Sequence, residues 1–148
     1  MTPSQTPTQS DEITPIPVVG SSDAAITGGP DPRDALTAFL RQLLELQCGL
    51  VGGAAGVVFL NHGPGNSPAI AATYHAPSCE RLTEGTDPLG PATLPRLERL
   101  SSQTAGTIES ITLARPGRGM YGEELRLRAL SAPLAADGRI EGTCIVLT

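Results

Sequence analysis

The chain has 148 residues, of which 39% are hydrophobic and only 3% aromatic, and its net charge is −5. That length fits one domain of ordinary size, with a core assembled from Leu, Val, Ile and Ala. The acidic balance excludes a nucleic-acid binder, which needs a basic footprint.

All ten basic residues are Arg, a pattern of coding bias more than of anion recognition. The run 48–61 is Gly-rich and shorter than the about 20 apolar residues that a bilayer span requires. The start, MTPSQTPTQSDE, lacks the basic and apolar regions of a secretory signal. Cys48, Cys79 and Cys144 are odd in number and show no CxxC spacing. They read as reduced thiols in a cytoplasmic setting, not as a disulfide framework or a zinc site. No cofactor is expected.

Residues 1–30 read as a disordered tail rich in Thr, Pro and Ser. Pro3, Pro7, Pro15, Pro17 and Pro30 break any hydrogen-bond ladder, and little apolar area is present to offset ordering. A domain is expected over 31–148. Asp31 before Pro32 is an N-cap followed by Pro at the first helical position, and Asp34 suits the helix's positive end. Leu36, Phe39, Leu40, Leu43 and Leu46 recur at helical spacing, and Leu44 widens the stripe. The helix is expected over 32–47, with Gly49 able to stop it in a left-handed cap.

After the turn at Gly52-Gly53, residues 55–60 read as a buried strand. A turn at His62–Asn66 leads to a second strand over 68–75, paired with the first. Residues 79–91 mix acids with Gly and Pro and read as loop. Leu94, Leu97 and Leu100 mark a short helix around 95–103, and Pro95 is tolerable in its first turn. The β-branched run 107–113 is strand-like. Three Gly and one Pro make 115–122 a flexible loop. From Glu124 the pattern alternates: Leu125, Leu127 and Ala129 share one face, and Arg126, Arg128 and Leu130 share the other. Asp137-Gly138, between apolar runs, signals a tight hairpin joining strands 125–134 and 139–147. The order helix, strand, strand, helix, strand, strand, strand predicts an α+β domain with a mostly antiparallel sheet.

The segment DALTAFLRQLLELQCGLVGGAAGVVFLNHG, followed later by ALSAPLAADGRIEGTCIVL, resembles a GAF domain. The matching residues near the end are Pro133, Leu134, Asp137, Gly138 and Gly142. The resemblance covers about residues 32–147 and implies a five-stranded sheet in the order 2-1-5-4-3, with helices packed on one face and a small-molecule pocket or dimer surface on the other. It also implies a sensory or regulatory role. In that family a C-terminal helix usually follows the last strand and lies beside the first helix. Without it, Leu36, Phe39 and Leu43 would form an apolar patch of the size that marks an interface. A partner domain, a homodimer or a longer parent, such as an export adaptor, is therefore expected.

Four residues are candidates for ligand binding. Arg115 and Arg118, set among glycines, have the planar guanidinium and free backbone N–H groups that hold an anion. Tyr121 can stack on a ring. Tyr74, one of four aromatic residues, can line a pocket or close the sheet edge. Cys79, beside Glu80 and Arg81, is expected to be the one exposed thiol. Arg81 favours a reactive thiolate and Glu80 opposes it. Cys48 and Cys144 are expected in the core. His62 and His75 flank the first hairpin and would share a metal only if brought to one end, with no third ligand evident. No catalytic or metal constellation stands out. The expected function is a non-catalytic sensory or regulatory module, binding a small molecule or relaying a signal. The alternative is a structural dimerisation or interaction domain with a filled pocket.

Overall fold

The computed structural model describes residues 29–62, 65–103, 105–114 and 124–148. The chain falls into two units, Met1–Ala35 and Leu36–Thr148. In the first, the Asp31 carboxylate accepts a hydrogen bond from the Arg33 N–H at 2.9 Å, so Asp31 caps a helix end as its sequence position predicts.

The elements are α1 (Pro32–Val51), β1 (Ala55–Leu60), β2 (Ala69–His75), α2 (Cys79–Thr83), α3 (Leu94–Ser101), β3 (Thr107–Ala114), β4 (Glu124–Ala136) and β5 (Arg139–Leu147). Among the described residues the strands form one five-stranded antiparallel sheet in the order 2-1-5-4-3. The fold is α+β with helices packed against that sheet, as expected.

Strand periodicity divides the core in two. On one face, Leu40, Leu44 and Cys48 of α1 pack onto Val58, Ala72, Cys144 and Val146. On the other, Val57, Phe59, Ile145 and Leu147 join Ile111, Leu113, Leu125, Leu127 and Ala129, beneath Leu97 and Leu100 of α3 and Cys79 of α2. The long helix therefore lies on one face and the two short helices on the other, a difference from the single helical face that the resemblance implied. β1 and β5 are buried on both faces, which is why they read as continuous apolar runs. β4 has neighbours on both sides but exposes alternate residues.

Two differences from expectation bear on the packing. α1 runs one turn further than 47 and includes Gly49; the left-handed residue that ends it is Gly52, at φ 69°. Tertiary packing of Cys48 carries the helix past the first glycine. The expected loop 79–91 opens with the one-turn helix α2, because Cys79 and Thr83, four residues apart, both turn into the core. The final hairpin forms as predicted, with Asp137 and Gly138 at φ 52° and 76°, both left-handed as a type I′ turn requires.

Gly142 lies where three strands meet, opposite Leu60 of β1 and Leu134 of β4. A Cβ there would overlap the Phe59 carbonyl oxygen. The close approach of β5 to β1 thus depends on a missing side chain. On the other face, the Thr143 hydroxyl donates to the Ser101 carbonyl at 3.0 Å, satisfying one of the unpaired carbonyls at the end of α3.

Candidate functional site

Of the expected ligand residues, Arg115, Arg118 and Tyr121 lie outside the described residues. Tyr74 is half-buried on the face beneath α1, at the margin of the cluster around Leu44. Desolvation pushes its hydroxyl pKa up, and the nearby Glu45 carboxylate adds to the shift.

The cysteines correct an expectation. Cys79 is buried, as are Cys48 and Cys144. Its polar neighbours Glu80 and Arg81 point outward from α2 while the thiol turns inward. Desolvation pushes the Cys79 thiol pKa up, and the Asp87 and Glu80 charges push the same way, against a lowering contact from Thr83. Burial pushes both Cys48 and Cys144 up to about 11. The Cys144 thiol donates to Gln47 Oε1 at 3.0 Å. Burial thus holds these thiols protonated at neutral pH.

His62 and His75 do not meet. In the β1–β2 register Ala55 faces His75, while Leu60, two residues before His62, faces Ala69. The two rings belong to opposite ends of the hairpin, which excludes a shared metal. His75 instead lies 3.1 Å from Asp87 across the segment that follows β2. Burial pushes the Asp87 carboxyl pKa up, but the Leu89 N–H and His75 outweigh it and hold it below the usual range. A concavity of about 400 Å³ opens here, lined by His75, Cys79, Glu80, Thr83, Thr86 and Asp87. The Thr86 hydroxyl is buried and has no hydrogen-bond partner. Among the described residues no group of three His, Cys, Asp or Glu could hold a metal ion.

The most pronounced surface feature is apolar. The residues of α1 that reach the core are Leu40, Leu44 and Cys48. A second row remains largely in solvent: Leu36 is 47% exposed, Phe39 59%, Leu46 60% and Leu50 76%, with Leu43 half-buried between them. At 100° per residue this row lies roughly 120° around the helix from the core-facing row. Its sidedness follows from the grooves that flank α1. Thr37 and Arg41 line a groove with residues 70–73 of β2. Gln47, Leu50 and Val51 line one of about 170 Å³ with Leu130, Ser131 and Ala132 of β4. The exposed row therefore flanks the β4 side, where α1 leaves the sheet bare. Ile108 of β3, paired with Leu130, extends that bare floor and is 73% exposed.

Part of this surface was expected from Leu36, Phe39 and Leu43. Leu46 belonged to the same expected stripe, whereas Leu50 lay past the helix end expected at 47 and was missed. The floor on β3 and β4 was not, nor was the His75–Asp87 pair, which only the fold brings together. Compared with known proteins, the chain matches no protein-family model and no curated protein.

Proposed function

We propose that this chain is a non-catalytic regulatory module of GAF type that relays its signal through protein contact at the exposed flank of α1. The observation that carries this reading is the unburied apolar row from Leu36 to Leu50, continuous with the bare β4–β3 floor. Monomeric proteins seldom leave such a patch in water, and patches of this kind mark interaction sites. The sheet order agrees with the order the GAF resemblance implies. Protonated, buried thiols weigh against an enzyme working through cysteine.

A binary outcome tests this. The native chain should either self-associate in sedimentation or, as a monomer, bind the environment-sensitive dye anilinonaphthalene sulfonate. Leu46→Glu should abolish whichever is seen while leaving the circular dichroism spectrum intact. A chain that neither associates nor binds the dye would refute the contact-face reading. A second reading, small-molecule binding, draws support from the concavity beside His75 and Asp87 and its unpartnered Thr86 hydroxyl.

A further inference from the structure

We infer that β3 is a pairing edge. It joins β3 of a second copy, antiparallel about a two-fold axis at Ile111, and makes one continuous sheet. This contact is separate from the α1 flank. Among the described residues β3 closes one side of the sheet, with β4 on its inner side and no strand on the other.

The backbone groups left over can be assigned. Arg128 of β4 exchanges both of its backbone hydrogen bonds with Thr148, each at 2.9 Å, on the β5 side. Polar groups alternate in direction along an antiparallel strand, so those of Leu127 and Ala129 aim at β3. Their partners there are Ile111 and Glu109. The N–H and C=O of Ile108, Ser110, Thr112 and Ala114 therefore aim away from β4, at the open side.

Such an edge is a template for another strand, and proteins blunt it with bulges, Pro or charge. β2, the opposite edge, follows Pro68, and its register with β1 slips between Val58 and Phe59. β3 has neither device. Its register with β4 runs unbroken from Thr107 to Ala114. The segment TIESITLA holds no Pro, no Lys and a single charge, Glu109. The Arg99 guanidinium donates to that carboxylate at 3.0 Å.

The edge is complementary to itself. A two-fold axis normal to the sheet keeps each face on its own side, so it pairs only residues that share a face. With the axis at Ile111 every outward residue finds a partner: Ile108 with Ala114, and Ser110 with Thr112, each pair twice. A small residue then lies across from Ile108, which is 73% exposed, and Ser110 meets Thr112 as a hydrogen-bonding cross-strand pair. An axis at Glu109 would set two like charges opposite each other. An axis at Ser110 would leave Ala114 across from Gly106, outside the partner's strand. Arg126 and Arg128 stand one strand back on β4. Across the joint they lie three strand spacings, about 14 Å, from those of the copy, beyond the screening length of about 8–10 Å. No charge on this edge therefore selects against a second copy.

One strand per copy is a small contact, of the kind that gives transient association. It is read at the high concentrations of magnetic resonance, not by dilute sedimentation. In the Leu46→Glu chain, which silences the α1 flank, amide resonances from Ile108 to Ala114 should still move with concentration. Mixed Ser110→Cys and Thr112→Cys chains should crosslink to each other under mild oxidation, across a Cα separation of about 5.5 Å, faster than either crosslinks to itself. The native thiols are buried, so the unmodified chain is the control. Thr112→Lys should weaken the association at least about tenfold, because it sets a charge in the joint at two symmetry-related places. Resonances of β3 that stay fixed at every concentration, or mixed chains that crosslink no more than the control, would overturn the pairing and leave the α1 contact face untouched. Self-crosslinking by Ser110→Cys ahead of the mixed pair would overturn the axis at Ile111.

Discussion

Two leucines two positions apart on α1 should behave as though they belonged to different proteins. Leu44 is 0% exposed, lodged between Val58, Ala72 and Val146, whereas Leu46 is 60% exposed. Truncating Leu44 to Ala removes buried methyl groups and leaves a cavity that a helix clamped onto a sheet cannot collapse. Such changes cost about 3–5 kcal/mol. Truncating Leu46 forfeits only the buried part of its side chain, and Ala is the stronger helix former by a few tenths of a kcal/mol. Its net cost should be below about 1 kcal/mol. The assay is urea unfolding at low protein concentration, where any association between chains is diluted away. With a slope of about 1–3 kcal/mol per molar urea, Leu44→Ala should lower the midpoint by roughly 1 M or more, and Leu46→Ala should leave it nearly in place. Equal losses at both positions in the dilute chain would mean that the second row is covered from within, and the placement of α1 would be wrong.

The remaining predictions concern the sheet and the thiols. Gly142→Ala forces a methyl against the Phe59 carbonyl at the centre of the sheet, where backbone cannot yield cheaply. Chemical unfolding should show a loss of about 1–3 kcal/mol or more, and a neutral result would refute the close β1–β5 approach. Stability should also fall in alkali. Cys48 and Cys144 titrate near 11 in the fold against an ordinary 9.0. Below the lower value folded and unfolded chains are equally protonated; between the two, only the folded thiol keeps its proton, so each unit of pH favours the unfolded chain. With no Lys in the chain, unfolding midpoints compared at pH 7 and 10.5 should report chiefly these thiols and the tyrosines. Cys144→Ser should flatten the slope; an unchanged slope in that variant would count against the buried thiol as its source.

How far the fold was legible varies by element, for physical reasons. The last hairpin was read almost to the residue, because Asp137 and Gly138 leave the chain few conformations and the flanking alternation leaves few registers. The first helix was legible as a helix but not in its facing. Two apolar rows coexist on it, and hydrophobic spacing alone ranks neither above the other. What decides is that Gly56, on the sheet, lets Leu44 and Cys48 approach, a fact held by a different segment. Cys79 was misplaced because its charged neighbours dominate the local composition, although in a single helical turn they point away from it. His75 and Asp87 carry no joint signal; each is ordinary until the segment after β2 folds back.

The sheet's order has a consequence for the timing of assembly. β1 pairs with β2 and with β5, Ala55 facing Leu147, so the middle of the sheet is made from strands far apart in the chain. On the ribosome, at about 5–20 residues per second, β1 must wait several seconds for the strand that completes it. Until then Val57, Val58 and Phe59 keep an open, water-facing edge that any similar strand could adopt. Such non-local closure slows folding, and in this chain it makes the nascent β1–β2 hairpin the species most in need of shielding.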